Sequence, residues 1–144
     1  SQGTILFLID IDRFKSINDR FGHAVGDQVL RSVAQSLVGT MRAGDSILRL
    51  GGEEFAVLMV DASEDEARAA GQRILENMRI ELLLGDEPTI SVTSSVGAHY
   101  WRPDRTTFAR AYEHADAALY QAKKSGRDRI VFSSEFAPPP GVGG

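Results

Sequence analysis

The segment Thr4-Ile-Leu-Phe-Leu-Ile9 is a continuous apolar run that stops abruptly at Asp10-Ile-Asp12. It is far shorter than the roughly 20 residues that span a bilayer, and it reads as a buried strand. A buried strand needs neighbours in a sheet and cover on its faces, and the following residues supply both. Phe14, Ile17 and Phe21 recur at helical spacing and predict a short helix. Gly22 and Gly26 bracket a turn, and Asp27 stands at the N-terminus of a longer helix. Its apolar stripe is Val29, Leu30, Val33, Ala34, Leu37, Val38 and Met41, and Gly44 ends it. Ser46–Leu50 and Phe55–Val60 are strand-like, with Gly51-Gly52 between them as a hairpin signal. Ser63 and Glu66 form a capping-box pattern that opens a helix through about Leu83. Ile90, Val92, Ser94, Val96, Ala98 and Tyr100 predict one half-buried strand. Phe108, Ala111, Tyr112, Ala115, Ala118, Leu119 and Ala122 predict a helix ended by Gly126, and Arg129–Phe132 a last strand. The order β-α-α-β-β-α-β-α-β points to an α/β or α+β domain, one sheet covered by helices.

The 144 residues suit one domain, expected over residues 1–134, and the Pro- and Gly-rich stretch 135–144 reads as a disordered tail. No secretory signal or membrane span is visible. The absence of cysteine excludes disulfides, thiolate metal sites and cysteine nucleophiles, and is compatible with the cytoplasm. A net charge of -4 makes nucleic acid a poor partner. Nucleotide binding then depends on cations placed locally.

Asp10 and Asp12 close the first strand, while Glu53 and Glu54 follow the glycine pair of the hairpin. Carboxylates at two strand ends can converge on a hard cation such as Mg2+. Each cluster, taken alone, reads more simply as a solvated turn. Gly51-Gly52 reads as a tight turn or as a place where a ligand lies against the backbone. Lys123 and Arg127, four apart near a helix end, answer the helix dipole or hold phosphates. Asn18 and Asp27 have the donors and acceptors to read a guanine edge, or are simply helix-end groups. His23 reads as a loop histidine.

Together these pieces resemble one family. Asp10-Ile-Asp-Arg-Phe-Lys15 with Ile17-Asn-Asp19, Phe21-Gly-His23 and Gly26-Asp27 is similar to the first signature of GGDEF-domain diguanylate cyclases. Gly51-Gly-Glu-Glu-Phe55 resembles the motif that names the family, in its GGEEF variant. Ala115-Asp-Ala-Ala-Leu-Tyr-Gln-Ala-Lys-Lys-Ser-Gly-Arg127 resembles its C-terminal signature. The resemblance implies a central, mainly antiparallel five-stranded sheet flanked by helices, as in the palm of nucleotide cyclases and polymerases. It implies condensation of two GTP into cyclic di-GMP, with two Mg2+ (or Mn2+) ions per active site. Asp10, the Ile11 carbonyl, Glu53 and Glu54 would be the metal ligands, with Asp10 and Glu53 catalytic. Phe14 and Lys15 would offer backbone N–H groups to phosphate, Lys123 and Arg127 would hold the β- and γ-phosphates, and Asn18 and Asp27 would bind guanine. Gly51 and Gly52 would let the nucleotide lie close. Arg42-Ala-Gly-Asp45, with Arg73, resembles the family's product-inhibition site.

The resemblance further implies a homodimer, since one domain holds one GTP and the product has two-fold symmetry. It implies no membrane contact by this domain. Two features depart from the pattern. The Asp-x-Leu-Thr-Gly-Leu-x-Asn-Arg segment usual upstream of the first strand is not present, and Asp128 stands where asparagine is common. The expectation is a fragment of a larger bacterial signalling protein from which a sensory or receiver domain has been removed. A GTP or cyclic di-GMP receptor and a scaffold without nucleotide are the competing readings. The intact acidic and basic positions weigh against both.

Overall fold

The computed structural model describes residues 2–85 and 89–133. The stretch 135–144, expected to be a disordered tail, lies outside the described residues. The chain runs β1 (Gly3–Ile11), α1 (Phe14–Phe21), α2 (His23–Thr40), β2 (Ser46–Gly51), β3 (Glu54–Ala62), α3 (Glu64–Asn77), β4 (Ile80–Leu83), β5 (Thr89–Val92), β6 (Ser94–Trp101), α4 (Phe108–Lys124) and β7 (Arg129–Phe132). Five strands form one sheet in the order β2-β3-β1-β6-β7, antiparallel except for β6 with β7. The expected α+β sheet is therefore present, with β1 at its centre.

Why β1 is central follows from its side chains. Every residue from Gly3 to Ile11 is buried. Side chains alternate across a strand, so odd and even positions enter different cores. Ile5, Phe7, Ile9 and Ile11 pack with Val29, Val33 and Leu37 of α2 and with Ala67, Ala70 and Ile74 of α3. Leu6 and Leu8 pack with Ala56 of β3 and with Ala115 and Leu119 of α4. The same parity sends Asp10 to the α4 side. The site is thus positioned by one strand buried on both faces.

Several expected boundaries shift. Helix α2 begins at His23, so Gly26 lies inside it and Asp27 is not its cap. Gly26 is buried because α1 crosses there: a Cβ on it would lie 1.9 Å from Asn18 Oδ1. Helix α2 ends at Thr40, with Met41 already extended, and Arg42–Asp45 form a turn rather than a helix end. Val38, placed on the apolar stripe, is 67% exposed. Ser63 caps α3 as expected: its Oγ accepts from Glu66 N at 3.1 Å, and Glu66 Oε1 accepts from Ser63 N at 2.9 Å. That helix stops at Asn77, however, and Ile80–Leu83 pair with Thr89–Val92 in a separate hairpin. Helical spacing from Met78 to Leu82 imitates a continued stripe, while the strand parity of Ile80 and Leu82 is what packs on the core. The expected single strand from Ile90 to Tyr100 is divided at Thr93, and the first five residues of β6 are buried rather than half-buried.

Candidate active site

Asp10, the penultimate residue of β1, lies opposite Glu54 of β3 and Ser95 of β6. It is 6% exposed, and the ammonium of Lys123, on α4, donates to its Oδ2. Burial raises the Asp10 carboxyl above the usual carboxylate range. The Lys123 hydrogen bond and charge pull it back, and the charges of Glu53 and Asp12 raise it further. The surrounding donors are hard oxygens, and Lys123 already seats a cation there. The residues therefore fit a divalent ion of the Mg2+ type. Among the described residues, no cluster of three or more His, Asp or Glu side chains has the geometry of a metal cage. Backbone carbonyls, water and substrate oxygens would complete a coordination shell of that kind.

The Gly-Gly hairpin is braced from below. Arg49 of β2 donates from Nε at 3.2 Å and from Nη2 at 2.8 Å to the Gly52 carbonyl. Ile11 N donates to the Glu53 carbonyl at 3.2 Å, tying the turn to the end of β1. Gly51 and Gly52 have φ of 148° and 47°, and Gly52 thus occupies the left-handed region that favours glycine. Glu53 is half-buried and Glu54 exposed, so the two acids face different surroundings. Glu54 lies close enough to the α4 side to raise the Tyr112 hydroxyl, after burial and Asp116.

Asp12, two residues from Asp10, has a different fate. Its Oδ1 accepts from Ser95 Oγ at 2.6 Å, and its Oδ2 accepts from Thr93 Oγ1 at 2.7 Å and Asp128 N at 2.9 Å. Asp12 N in turn donates to the Thr93 carbonyl at 2.9 Å. Lys123 and Arg127 are also separated. Helix α4 ends at Lys124, so Arg127 is not one turn further along the same helix. Arg127 and Asp128 have φ of 65° and 45°, a conformation that costs on the order of 1–3 kcal/mol for each non-glycine residue. Arg127 N donates to Ala122 O at 3.0 Å, and the Asp128 carboxylate pairs with Arg79 at 3.0 Å. Arg127 thereby lines a groove of about 380 Å³ with Arg13, Ser16, Arg20 and Ser91. Nothing in the sequence pattern singled out Asp12 as a hub, nor Arg49, Arg79, Thr93 and Ser95. The partners of Arg79, Thr93 and Ser95 are distant in the chain, and that of Arg49 is a backbone carbonyl across a turn.

Phe14 and Lys15 open α1, behind an Arg13 at φ 57°. Asn18 is half-buried against Gly26, one residue before the exposed Asp27. Together, the end of β1, the Glu53–Glu54 turn, Lys123 and the start of α1 gather at one end of the sheet.

A sequence model of the family described as "Diguanylate cyclase, GGDEF domain" matches residues 1–129. The chain belongs to this family. Probable diguanylate cyclase DgcT of Escherichia coli is 41% identical over an alignment of 130 residues that covers 88% of this chain and 28% of that relative. Diguanylate cyclase SiaD of Pseudomonas aeruginosa, solved with its activator SiaC, superposes with a TM-score of 0.84 at 38% identity. The match covers 91% of this chain and 50% of that one. The GGDEF domain of DgcB from Caulobacter crescentus, solved with cyclic di-GMP, superposes at 0.82 with 30% identity over 93% of this chain and 80% of that one. The GGDEF domain described here spans between about a quarter and just over a third of the length of the curated relatives it matches.

The Arg-x-x-Asp turn of this GGDEF domain lies away from Asp10. Arg42 N and Nε donate to the Asp45 carboxylate at 3.0 and 3.1 Å, and Nη2 donates to the Val60 carbonyl. The Asp45 side chain is 2% exposed beneath Arg42. Arg42 also helps hold the Glu66 carboxyl low, after the stronger hydrogen bonds from Ser63. Arg73 is exposed on α3, two turns beyond Glu66 and thus about 10 Å along the axis. No helix among the described residues is long and apolar enough to cross a membrane.

Proposed function

We propose that this domain joins two GTP molecules into cyclic di-GMP, releasing two pyrophosphates. The observation that carries the reading is the buried Asp10 at the tip of the central strand, paired with Lys123 and faced by the Glu53–Glu54 turn. Two divalent ions, Mg2+ or Mn2+, would be held by Asp10, the Ile11 carbonyl, Glu53 and Glu54 and would supply charge neutralisation at the reacting oxygens. Glu53 takes the proton of the 3′-hydroxyl of one GTP. That oxygen bonds to the α-phosphorus of the other GTP as the bond to pyrophosphate breaks. The same exchange in the opposite direction closes the ring. Lys123 and Arg127 stabilise the charge gathering on the β- and γ-phosphates, the backbone N–H groups of Phe14 and Lys15 orient them, and Gly51-Gly52 leave room for the nucleotide. Such positioning and charge compensation supply most of the acceleration in phosphoryl transfer.

Asn18 and Asp27 read guanine across the α1–α2 seam. Each domain holds one GTP, so two copies face each other as a homodimer. Product binds at Arg42, Asp45 and Arg73 and inhibits. The fraction of its relatives' length that the chain spans fits one domain of a larger bacterial signalling protein; its place as the cytoplasmic output of an upstream sensory or receiver domain belongs to the same proposal. The test is incubation with GTP and Mg2+ followed by chromatography. Cyclic di-GMP is expected from the parent and none from a folded Glu53→Gln. Undiminished product from that variant removes Glu53 from the chemistry.

A further inference from the structure

We infer that Asp12 is a positioning residue that acts through Arg127. Arg127 lies beyond the end of α4, so the helix does not fix its direction. It stands in the left-handed region together with Asp128, two consecutive positions where non-glycine residues are uncommon. Such a conformation persists only where its surroundings over-determine it. Four contacts do so here: Arg127 N to Ala122 O at 3.0 Å, Arg79 to the Asp128 carboxylate at 3.0 Å, Asp128 N to Asp12 Oδ2 at 2.9 Å, and, within the loop itself, Arg129 Nε to the Arg127 carbonyl at 2.9 Å.

Of these, the Asp12 contact is the one that ties the loop to the tip of β1. The first ties it to α4 and the second to an exposed arginine following α3. Asp12 is 8% exposed, and both its oxygens are engaged by Ser95, Thr93 and Asp128. A buried carboxylate accepting several neutral donors is a rigid anchor, because each donor removed leaves buried charge less compensated. Although Asp12 belongs to an Asp-x-Asp pair, its carboxylate is spent on the protein itself. It registers the Arg127 loop against the strand that carries Asp10, so the arginine and the acidic site are held by one hydrogen-bonded hub.

The inference rests on the proposed contact of Arg127 with the β- and γ-phosphates, and its test separates the two. Calorimetry is run on the intact chain with GTP and with GMP, in Ca2+ so that no turnover intervenes. GMP lacks the phosphates that Arg127 would hold. In Asp12→Asn the amide places an NH2 group where hydroxyl and backbone donors converge. GTP affinity is expected to fall at least tenfold with GMP affinity unchanged. Arg127→Ala is expected to give the same contrast, and the double variant to lose little more than either single one, as for two residues acting as a unit. If Asp12→Asn does not fold, Thr93→Val, which removes one donor from the shared oxygen, takes its place with a smaller loss of the same kind. An unchanged ratio of GTP to GMP affinity in the folded Asp12 or Thr93 variant, with Arg127→Ala showing the contrast, overturns the inference. No contrast in Arg127→Ala itself overturns the phosphate assignment on which it rests.

Discussion

Gly97 is the point where the active-site helix rests on the sheet. It lies in β6, and a Cβ there would meet the backbone of α4: Leu119 N at 2.2 Å, Ala115 O at 2.3 Å and Leu119 Cα at 2.6 Å. Unstrained contacts between heavy atoms need about 3.5 Å, so Gly97→Ala forces strand and helix apart by roughly 1 Å. No flexible side chain is available to absorb the change. In an ordinary strand the substitution would stabilise by about 0.4–1 kcal/mol, through loss of unfolded-state freedom. Here overpacking against backbone works in the other direction, at the upper end of its usual range, about 3 kcal/mol. For a domain of this size that lowers Tm by roughly 10 °C. Function should suffer beyond stability, because the displaced helix carries Lys123, whose ammonium lies on Asp10. Misplacement of this size at a reacting centre costs on the order of 100-fold in rate. Urea unfolding should show a lower midpoint with an unchanged m-value, and cyclic di-GMP formation should be measured well below the new transition. A loss under about 0.5 kcal/mol, the range of a neutral surface change, would refute the claim that close packing at Gly97 sets the height of α4.

Gly26→Ala should leave the fold intact, since alanine favours the helix interior by about 1 kcal/mol. The new methyl must displace the Asn18 side chain, whose Oδ1 is 1.9 Å from its position. The preference for GTP over ATP, measured by calorimetry with both, should therefore fall, and an unchanged preference would remove Asn18 from guanine recognition. Arg42→Ala should weaken cyclic di-GMP binding by more than the roughly tenfold that 1.4 kcal/mol represents and leave the initial rate intact. It also strips a partner from the covered Asp45 carboxylate, at a cost of about 1 kcal/mol because Arg42 is itself part-exposed. Unaltered product affinity would leave Arg42 as a turn-bracing residue alone. His99 stacks on His114 with centroids 4.6 Å apart, and its Nδ1 lies 2.6 Å from Ser133 Oγ. Burial first, and His114 second, depress its pKa from 6.5 to about 4. The neutral ring is the form that the fold favours, so its contribution is fully present above pH 6.5 and is lost as pH falls toward about 4. The urea midpoint should drop across that window in the parent and drop less in His99→Gln; equal slopes would place the acid sensitivity elsewhere.

What the sequence disclosed and what it withheld divide along the range of the interactions. The run Thr4–Ile9 was readable as a buried strand, and the Ser63–Glu66 box, whose hydrogen bonds span three residues, was readable as written. Spacing misled where two periods coincide: Met78 and Leu82 fit a helix, yet Leu82 pairs with Ile90 in a hairpin. At Arg127 spacing was silent: the residue lies past the end of the helix, where contacts from elsewhere in the fold set its place. Asp10 and Asp12 make the same point most sharply. They are the same residue type, two apart at one strand tip, and periodicity alone gives them one role. Strand geometry ends between them. Asp10 keeps the parity of Leu6 and Leu8 and meets α4, whereas Asp12 meets Thr93, Ser95 and Asp128, which lie 81, 83 and 116 residues away in the chain. A local pattern states which chemistry a side chain has available. Donors brought in by the rest of the fold decide whether that chemistry faces outward to a ligand or is consumed in holding the site together.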